Sequence, residues 1–369
     1  MEKRDKITIG LIIILVITFA AALFMEKQRL DRDYSQLASV RWEGSGDGRA
    51  YSQVSVFYDK NDSPGLEDIK RIRNDINQSL KEDSLLGADS QGRTWIDAYS
   101  GAKPINIRKD SNTIQVNAFF VGGDFFQIHP IKLKDGNYPD SNDLQILLDE
   151  NVAWNLFGGS NISGMKVWIG DTVATVSGVV EYEDSKISDM ALGNMDTVYI
   201  PYDAYVSLMK TESAGQAEET MEGSEQEVVF ADADEVSQGV EGSNGSSGTV
   251  DITCYEAVLP NPIKNYGCNV VTEANGVDLL SDEEAKKQRS TLNFEGKEII
   301  ENSSRYNILS LIERLKERRY AEMRTNSVAY PYWENMARYE ETRCSHILMA
   351  GCVLAVFCAA TVLRKIKKK

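Results

Sequence analysis

Two long apolar runs stand near the two ends of the chain. Residues 7–25 (ITIGLIIILVITFAAALFM) and residues 346–363 (HILMAGCVLAVFCAATVL) contain no Asp, Glu, Lys or Arg. With a helical rise of about 1.5 Å per residue, each run comes close to the thickness of a hydrocarbon core of roughly 30 Å. The pattern predicts two transmembrane helices. A cleaved signal peptide is the alternative for residues 7–25, but the sequence ALFMEKQ offers no small-x-small cleavage site.

Basic residues flank both apolar runs on the side of the chain termini. Lys3, Arg4 and Lys6 precede the first run, and residues 364–369 (RKIKKK) follow the second. Because cytoplasmic flanks carry the excess of Lys and Arg, we expect residues 1–6 and 364–369 to be cytoplasmic tails. Residues 26–345 then form one extracytoplasmic domain, and the protein belongs to the cell membrane.

The first part of this domain alternates between strand and helix periodicity. In residues 52–59 (SQVSVFYD) apolar and polar side chains alternate, as on a half-buried strand. Residues 65–81 repeat apolar side chains at steps of three and four, which predicts a helix. A further strand at residues 94–100 (TWIDAYS) completes a β-α-β unit. Residues 26–38 have helical spacing and are predicted to extend the first transmembrane helix outward.

The stretch from residue 113 onward predicts a β-rich part. Residues 113–134 are rich in β-branched and aromatic side chains, and a short buried strand is expected at Ile146 to Leu148. Asp149 is placed to cap an amphipathic helix that ends at the Gly158-Gly159 pair. Residues 166–169 and 172–180 flank a two-residue Gly-Asp loop, which predicts a hairpin.

The C-terminal half begins with residues 211–249, which are rich in Glu, Gly and Ser and are predicted to be a flexible acidic insertion. A strand at residues 252–259 and a helix reaching Ala274 follow, so a second β-α unit is expected to join the first in an α+β domain.

A helical stripe is predicted after Ser303. Its apolar members are Ile308, Leu311, Ile312, Leu315 and Met323. This helix either covers the sheet or binds a partner. After Pro331, the sequence YWENMARYEETRC is predicted to run as a helix directly into the second span.

Composition and charge exclude several functions. The formal net charge of -16 argues against a nucleic-acid partner, since phosphate binding needs a clustered basic surface. The phosphate-loop pattern G-x-x-x-x-G-K-[ST] and the nucleophile pattern G-x-S-x-G are both absent. His129 and His346 are the only histidines, and ADADE at residues 231–235 lacks the EF-hand spacing. We therefore predict no catalytic residue, metal site or cofactor, and no enzyme.

Two sets of residues have a candidate structural role. Cys344 lies just before the second span, which leaves Cys254 and Cys268 as the pair within the soluble region, where either a disulfide or two packed free thiols would suit them. The second span carries small residues that permit close helix packing in the membrane. These are Ala350, Gly351, Ala355, Ala359 and Ala360.

The β-rich part resembles the extracytoplasmic core domain of the MacB/FtsX class of ABC transporter permeases. The resemblance is strongest over residues 113–202 and weaker over 26–112 and 252–345. It rests on a Gly-x-Phe-Phe turn, a strand–helix motif ending in Leu-Phe-Gly, a glycine-bounded hairpin and a Val-Tyr-Ile-Pro strand. In this chain these are Gly123 to Phe126, Gly136, Asp149 to Asn151, Ala153, Leu156 to Gly158, Gly164, Val167, Ile169, Val176, Gly178 to Val180 and Val198 to Pro201.

The resemblance implies a mixed-sheet domain built from β-α-β units with an inserted β-rich subdomain. It also implies a non-enzymatic permease-like subunit that binds partners and couples mechanical motion in an ABC complex for export or mechanotransmission. Full members have four spanning helices, whereas two are predicted here. We therefore expect a separate ABC ATPase and a polytopic permease as partners, and homo-oligomerisation stays open. A membrane-tethered sensor or ligand-binding module without an ABC partner is the alternative.

Overall fold

The computed structural model describes residues 3–31, 33–43, 50–86, 93–140, 143–181, 192, 195–209, 250–277, 291–294, 296–303, 305–307, 310–312, 328 and 330–366. Its helices are α1 (Lys3–Leu30), α2 (Ala38–Glu43), α3 (Leu66–Glu82), α4 (Phe125–Ile128), α5 (Glu150–Phe157), α6 (202–209), α7 (Tyr266–Ala274) and α8 (Tyr332–Ile366).

The strands form one connected mixed sheet. They are β1 (Tyr51–Tyr58), β2 (Ile96–Lys109), β3 (Asn112–Gly123), β4 (Leu133–Gly136), β5 (Gln145–Asp149), β6 (Lys166–Ile169), β7 (Thr172–Val180), β8 (Thr197–Pro201), β9 (Cys254–Pro260), β10 (Thr291–Phe294) and β11 (Lys297–Glu301). The order is β10-β11-β1-β9-β2-β3-β8-β5-β7-β4, and β6 pairs with both β2 and β7. Pairs β3–β8 and β5–β7 are parallel, and the others are antiparallel.

The double pairing of β6 divides the sheet into two parts. Strands β2, β3, β8, β5, β7 and β6 close on one another and form what we call the strand ring. Strands β10, β11, β1 and β9, together with the beginning of β2, form the open sheet. Strand β2 belongs to both, because residues 96–100 pair with β9 and residues 107–108 pair with β6.

Strand β2 passes from one part to the other beside Gly101. A Cβ atom at this position would lie 2.0 Å from the carbonyl oxygen of Asp251, so the backbones approach more closely than any side chain allows. Glycine is therefore required where the long strand changes partners.

Helices cover the two faces of the open sheet. Alternate residues of β1, among them Val54 and Val56, pack with Ile72 and Ile76 of α3 and with residues of α7 on what we call the α3 face. The opposite face, which we call the α8 face, meets α2 and the beginning of α8, where Tyr51, Val258 and Trp333 share a second apolar cluster. The open sheet is thus the middle layer of three.

Several predictions from the sequence are confirmed. The α+β mixed-sheet fold is present, and the hairpin strands have the expected limits. Asp149 caps α5, since its carboxylate accepts a hydrogen bond of 2.8 Å from the Asn151 backbone N–H. The strand predicted at 94–100 is longer than expected and extends to Lys109.

The two predicted membrane segments lie in helices α1 and α8. Among the described residues, the part of α8 from Tyr332 to Thr361 is long and apolar enough to cross a membrane. Residues 7–25 lie within α1, and their role as a first span stays a prediction. The acidic insertion predicted at residues 211–249 lies outside the described residues. Of the predicted stripe, Leu311 and Ile312 are described, whereas Ile308, Leu315 and Met323 lie outside the described residues.

The disulfide considered for Cys254 and Cys268 is not formed in the structure. Both thiols are free and buried. Cys254 packs with Phe57 and Ile300 on the α8 face, whereas Cys268 of α7 packs in the cluster on the α3 face. Because the sheet lies between them, each thiol fills its own apolar site.

Candidate functional site

A stripe of polar side chains crosses the α8 face of the open sheet. It consists of Gln53 and Ser55 of β1, Glu256 of β9, Glu298 of β11 and Asn302 just beyond β11, and all five are buried. Strand periodicity places them together, because alternate residues point to one face and the register sets Ser55 opposite Glu256. Helix α8 lies over this stripe, so its polar groups must be satisfied within the protein.

Arg305 occupies the centre of the contact with α8. Its side chain is only 2% exposed and donates two hydrogen bonds to Glu334, at 2.5 and 2.8 Å. Its Nε atom donates to Glu341, and its Nη1 atom also donates to Gln36 at 3.0 Å. Burial alone would lower the pKa of Arg305, but the carboxylates of Glu334 and Glu341 raise it well above its usual value. The guanidinium therefore joins two points of α8 that lie about two helical turns apart, and it joins both to the segment after α1.

A second arginine, Arg338 of α8, also binds two carboxylates. Arg338 of α8 donates to Glu334 at 2.7 Å and to Glu298 of β11 at 3.0 Å. Its guanidinium also lies 4.0 Å from the centre of the Tyr330 ring. Arg305 and Arg338, with their carboxylate partners Glu334, Glu341 and Glu298, form what we call the junction cluster.

Hydrogen bonds continue from the junction cluster across the sheet to His129. Asn302 accepts from Arg305 at 3.3 Å and donates to the Ser55 hydroxyl at 2.8 Å. Ser55 donates to Glu256 at 2.8 Å, and the second carboxylate oxygen of Glu256 contacts Nε2 of His129. This polar chain connects Arg305 to the segment after α4 without an interruption in the described residues.

His129 brings the polar chain back to α8. Its ring centre lies 4.6 Å from that of Trp333 in the first turn of the helix and 4.8 Å from that of Phe125. The beginning of α8 is therefore held at two points, by charge at Glu334 and by aromatic packing at Trp333.

Helices α1 and α8 also contact each other. Arg29 pairs with Glu340 at 2.5 Å, and Arg343 pairs with Glu26 at 3.0 Å. Farther along, Gly351 faces Phe19, where an added Cβ atom would lie 2.5 Å from the ring. Of the five small residues singled out in the second span, Gly351 thus contacts α1, whereas Ala350, Ala355 and Ala359 are exposed.

A cleft of about 710 Å³ opens beside the junction, between the end of α1, the beginning of α8 and strands β5, β7 and β8. Asp33 and Asp149 are among its acidic lining residues. Burial raises the pKa of Asp33, although the hydrogen bond from Tyr306 opposes the change. Burial also raises the pKa of Asp149 to about 6.

The junction cluster was not predicted from the sequence. Glu334, Arg338 and Glu341 recur at helical steps of four and three, beside the apolar Trp333 and Ala337. Charges on the same helical face as apolar residues signal a buried ionic contact. The partner Arg305 could not be assigned, because it is distant in sequence and lies among many other charges.

Among the described residues, no group of three or more His, Cys, Asp or Glu side chains is arranged to hold a metal ion. The histidine of the polar chain is 3% exposed and points its Nε2 atom at a carboxylate. The site therefore consists of buried structural contacts around a helix.

The described residues thus form a mixed-sheet α+β body whose helix α8 continues into an apolar segment. Residues 7–239 match the family model of the MacB-like periplasmic core domain, and the chain belongs to this family.

Two curated relatives of this chain are MacB proteins. Macrolide export ATP-binding/permease protein MacB of Salmonella paratyphi A is 29% identical over 133 residues, which are 34% of this chain and 20% of the relative. MacB of Chromobacterium violaceum is 27% identical over 124 residues, or 32% of this chain and 19% of the relative. The matched region thus spans about a fifth of the length of these curated relatives.

Two solved structures show a partial likeness to this chain. The periplasmic region of MacB from Actinobacillus actinomycetemcomitans has 13% identity and a TM-score of 0.38, over 72% of this chain and 92% of that one. The extracellular domain of the noncanonic ABC-type transporter YknZ from Gram-positive bacteria has 15% identity and a TM-score of 0.33, over 61% and 96%.

Proposed function

We propose that this protein is a membrane-anchored, non-enzymatic subunit of an ABC-permease-like assembly. Its extracytoplasmic domain binds partners and transmits displacement to and from the spanning helices. Both termini are cytoplasmic, residues 7–25 and 346–363 cross the bilayer, and a separate ABC ATPase and a polytopic permease supply the remaining parts. The family supports the permease assignment, and the junction supports the mechanical one.

The observation that carries this proposal is the continuity of α8. One helix of 35 residues begins within the extracytoplasmic domain and ends beyond the apolar segment. Its first turns are buried at Trp333, Glu334 and Ala337, whereas Val353 and Val356 farther along are about 70% exposed. Because an uninterrupted helix bends little, a displacement of the domain moves the apolar segment with it.

The junction cluster suits a mechanical contact. Ionic hydrogen bonds are directional, and Arg305 makes them to two residues of α8 that lie about two turns apart. An apolar contact of the same size would allow the helix to slide or rotate at lower cost, since dispersion forces have little directionality. The cluster therefore fixes both the height and the rotation of α8 against the sheet.

Affinity capture tests the assembly. The full chain, tagged at one terminus, is purified from its native membranes in mild detergent, and co-purifying proteins are identified by mass spectrometry. We expect an ABC ATPase and a polytopic permease to co-purify with the tagged chain in amounts comparable to it. Their absence from repeated captures, with the bait intact, would contradict the proposal.

A matched pair of variants tests the coupling. His346→Gly with Ile347→Gly introduces two flexible residues between the clamped part of α8 and its apolar part, and His346→Ala with Ile347→Ala keeps the helix. In the captured assembly we expect both variants to retain the partners. The glycine pair should uncouple ATP hydrolysis from the domain and change the ATPase rate several-fold, and the alanine pair should not. Equal rates would contradict a mechanical role for α8.

Protease treatment of intact cells tests the topology. Residues 26–345 should be cleaved from outside, and tags on both termini should be protected until the cells are lysed. Protection of the central domain in intact cells would refute the two-span arrangement.

The second candidate function is a membrane-tethered sensor or ligand-binding module without an ABC partner. The cleft of about 710 Å³ favours it, because its size lies within the range of small-molecule sites and α8 forms one of its walls. A ligand-dependent change in the protein together with failure of the capture experiment would favour this alternative.

A further inference from the structure

Two carboxyl groups meet in the contact between α1 and α8. They belong to Glu26 of α1 and Glu340 of α8, which are 5% and 7% exposed. Glu26 directly follows the first apolar run, and Glu340 precedes the second. A hydrogen bond joins the two side chains. Because a carboxylate offers acceptor atoms alone, this bond requires a proton on one of the two groups.

The hydrogen bonds of the four oxygen atoms show where this proton fits. Arg343 binds Oε2 of Glu26 at 3.0 Å, and the Cys344 thiol donates to its Oε1 at 3.9 Å. Arg29 binds Oε1 of Glu340 at 2.5 Å. Oε2 of Glu340 is buried, and no N–H group or hydroxyl of the described residues donates to it. A proton on this oxygen would turn it from an unsatisfied acceptor into a donor to Glu26.

The two arginines are less well placed to stabilise a second negative charge. The side chains of Arg29 and Arg343 are 37% and 41% exposed, so water screens their charges, whereas the two carboxyl side chains are nearly buried. Burial is the largest cause that raises the pKa of Glu340, to about 7 from its usual value of 4.5. Arg29 opposes this change, and Glu26 and Asp33 add to it.

The other titratable groups around Glu340 bring no further cation to it. Besides Glu26 and Arg29 of α1, they are Asp33 after α1, Glu341, Arg343 and Cys344 of α8, and His129, Lys132, Asp149 and Glu181 across the cleft. Arg343 pairs with Glu26, Lys132 with Glu181, and His129 contacts Glu256. An ionised Glu340 would therefore lie in a surplus of negative charge.

We propose that Glu26 and Glu340 form a pH-sensitive contact between α1 and α8. With the proton in place, the two carboxyl groups are hydrogen-bonded and the helices are packed together. When the proton leaves, two buried negative charges face each other, and the helices separate at this point until water reaches the carboxylates. The contact is thus closed at lower pH and open at higher pH. This regulation goes beyond the proposed function and holds with or without an ATPase partner.

The pH window follows from the pKa of Glu340 in the two states. In separated helices its carboxyl group is hydrated and has its usual pKa of 4.5, and in packed helices the pKa is about 7. The proton therefore stabilises the contact fully below the lower value, and this stabilisation is lost as the pH rises to the upper one. The ratio of separated to packed helices should rise about tenfold per pH unit in this window and level off above it.

Distances between two spin labels test the proposal. p-Acetylphenylalanine replaces Lys27 of α1 and Thr342 of α8, which are exposed, and carries a nitroxide label while the cysteines stay in place. The full chain in phosphatidylcholine nanodiscs is measured by double electron–electron resonance from pH 5 to pH 8, and circular dichroism checks the fold at each pH. We expect a second, longer distance whose population rises with pH. One unchanged distance distribution throughout would overturn the proposal.

Isosteric variants locate the titrating group. Glu340→Gln keeps an acceptor for Arg29 and can donate to Glu26 at every pH, so the labels should stay at the shorter distance. Glu26→Gln removes the like charge but leaves Glu340 buried, so the longer distance should level off at a lower pH than in the natural protein. Glu67→Gln, at a side chain of α3 that is 86% exposed, is the matched control and should behave like the natural protein. Full pH dependence in a folded Glu340→Gln variant would overturn the assignment.

This proposal and the proposed function fail separately. The spin-label experiment uses the chain without partners, so its outcome does not depend on the capture of an ATPase or a permease. The glycine pair at residues 346 and 347 should keep the pH dependence, because the carboxyl pair lies before it in α8. Loss of the pH dependence in the glycine pair, with its domain folded, would contradict the placement of the pH-sensitive contact at Glu340.

Discussion

The strand ring and the α8 face of the open sheet are both buried, but the ring is filled with apolar side chains and the α8 face contains charged ones. The ring is filled with aliphatic and aromatic side chains, among them Phe120, Ile146 and Val167, which are fully buried. On the α8 face, four charged side chains, Arg305, Glu334, Glu298 and Glu256, are also almost fully buried. Both regions exclude water, but one is held by contacts without direction and the other by contacts with fixed geometry.

The two kinds of contact have different effects: apolar packing stabilises the fold, and buried ionic contacts fix the position of the groups that make them. Removal of charges from water is costly, so a buried ion pair adds little net stability compared with apolar residues of the same volume. Its advantage is geometric, because hydrogen-bonded ions accept one arrangement and penalise the others. We infer that the ring supplies a stable body and that the α8 face determines where the helix stands.

The strongest test removes one partner of the junction cluster. Arg305→Met leaves the buried carboxylates of Glu334 and Glu341 without their central cation, and we expect the free energy of unfolding to fall by about 3–5 kcal/mol. The measurement is urea unfolding of the full chain in nanodiscs.

A triple variant sharpens this result. Arg305→Met combined with Glu334→Leu and Glu341→Met removes the charges together, and we expect a smaller loss than from Arg305→Met alone. If the triple variant loses more than the single one, the cluster contributes net stability and its positioning role is weakened.

A second test concerns Asp149, the buried carboxylate at the rim of the ring. Burial raises its pKa to about 6 from its usual value of 3.8, so between pH 4 and 6 the folded protein binds a proton that the unfolded chain has lost. Stability should therefore fall as the pH rises through this window, by at most roughly 3 kcal/mol at 1.36 kcal/mol per pKa unit.

The variant Asp149→Asn should remove this part of the pH dependence and keep the cap of α5. The measurement is the unfolding free energy of both proteins at several values between pH 4 and pH 7. Parallel curves for the two proteins would show that Asp149 does not titrate in this range.

A third test acts where the two regions meet. Gly101→Ala places a Cβ atom against the backbone oxygen of Asp251, which the sheet relieves only by moving β2 or the segment before β9. We expect a loss of about 1–3 kcal/mol, the usual cost of overpacking. Thermal unfolding followed by circular dichroism measures it, and Ala102→Ser at the neighbouring exposed position is the control. A loss equal to that of the control would mean that the strands separate there without cost.

The smallest effect is expected inside the ring. Ile146→Val removes one methylene group from a fully buried side chain and should lower the unfolding free energy by about 0.5–1.5 kcal/mol. The loss should be the same at pH 5 and pH 8, because the surroundings are apolar. A pH-dependent loss would show that the ring interior is coupled to a titrating group.

Local elements were predictable from the sequence, and long-range pairing was not. The hairpin of β6 and β7 and the cap of α5 follow from short motifs, a Gly-Asp turn and an Asp before an amphipathic run. Closure of the ring depends on the pairing of Ile107 with Ile169, which no local pattern encodes. The length of β2 was underestimated, because the prediction stopped before its second half, in which Ile105 and Ile107 alternate with polar residues.

The candidate site was predictable only in part. A helix from residue 332 into the second apolar run was expected from its continuous periodicity, and the structure contains it. The polar chain from Arg305 to His129 was not expected, since its members come from four segments that are distant in sequence. The disulfide considered for Cys254 and Cys268 illustrates the same limit, because sequence spacing does not say on which face of a sheet a cysteine lies.

The sharing of β2 between the ring and the open sheet has a consequence for how the domain opens. A strand hydrogen-bonded on both edges to different parts cannot leave one of them without loosening the other. In hydrogen–deuterium exchange, the central amides of β2 should therefore exchange only when the whole domain unfolds. They should all exchange at one common rate. A pull applied through α8 would then be resisted by all the strands at once.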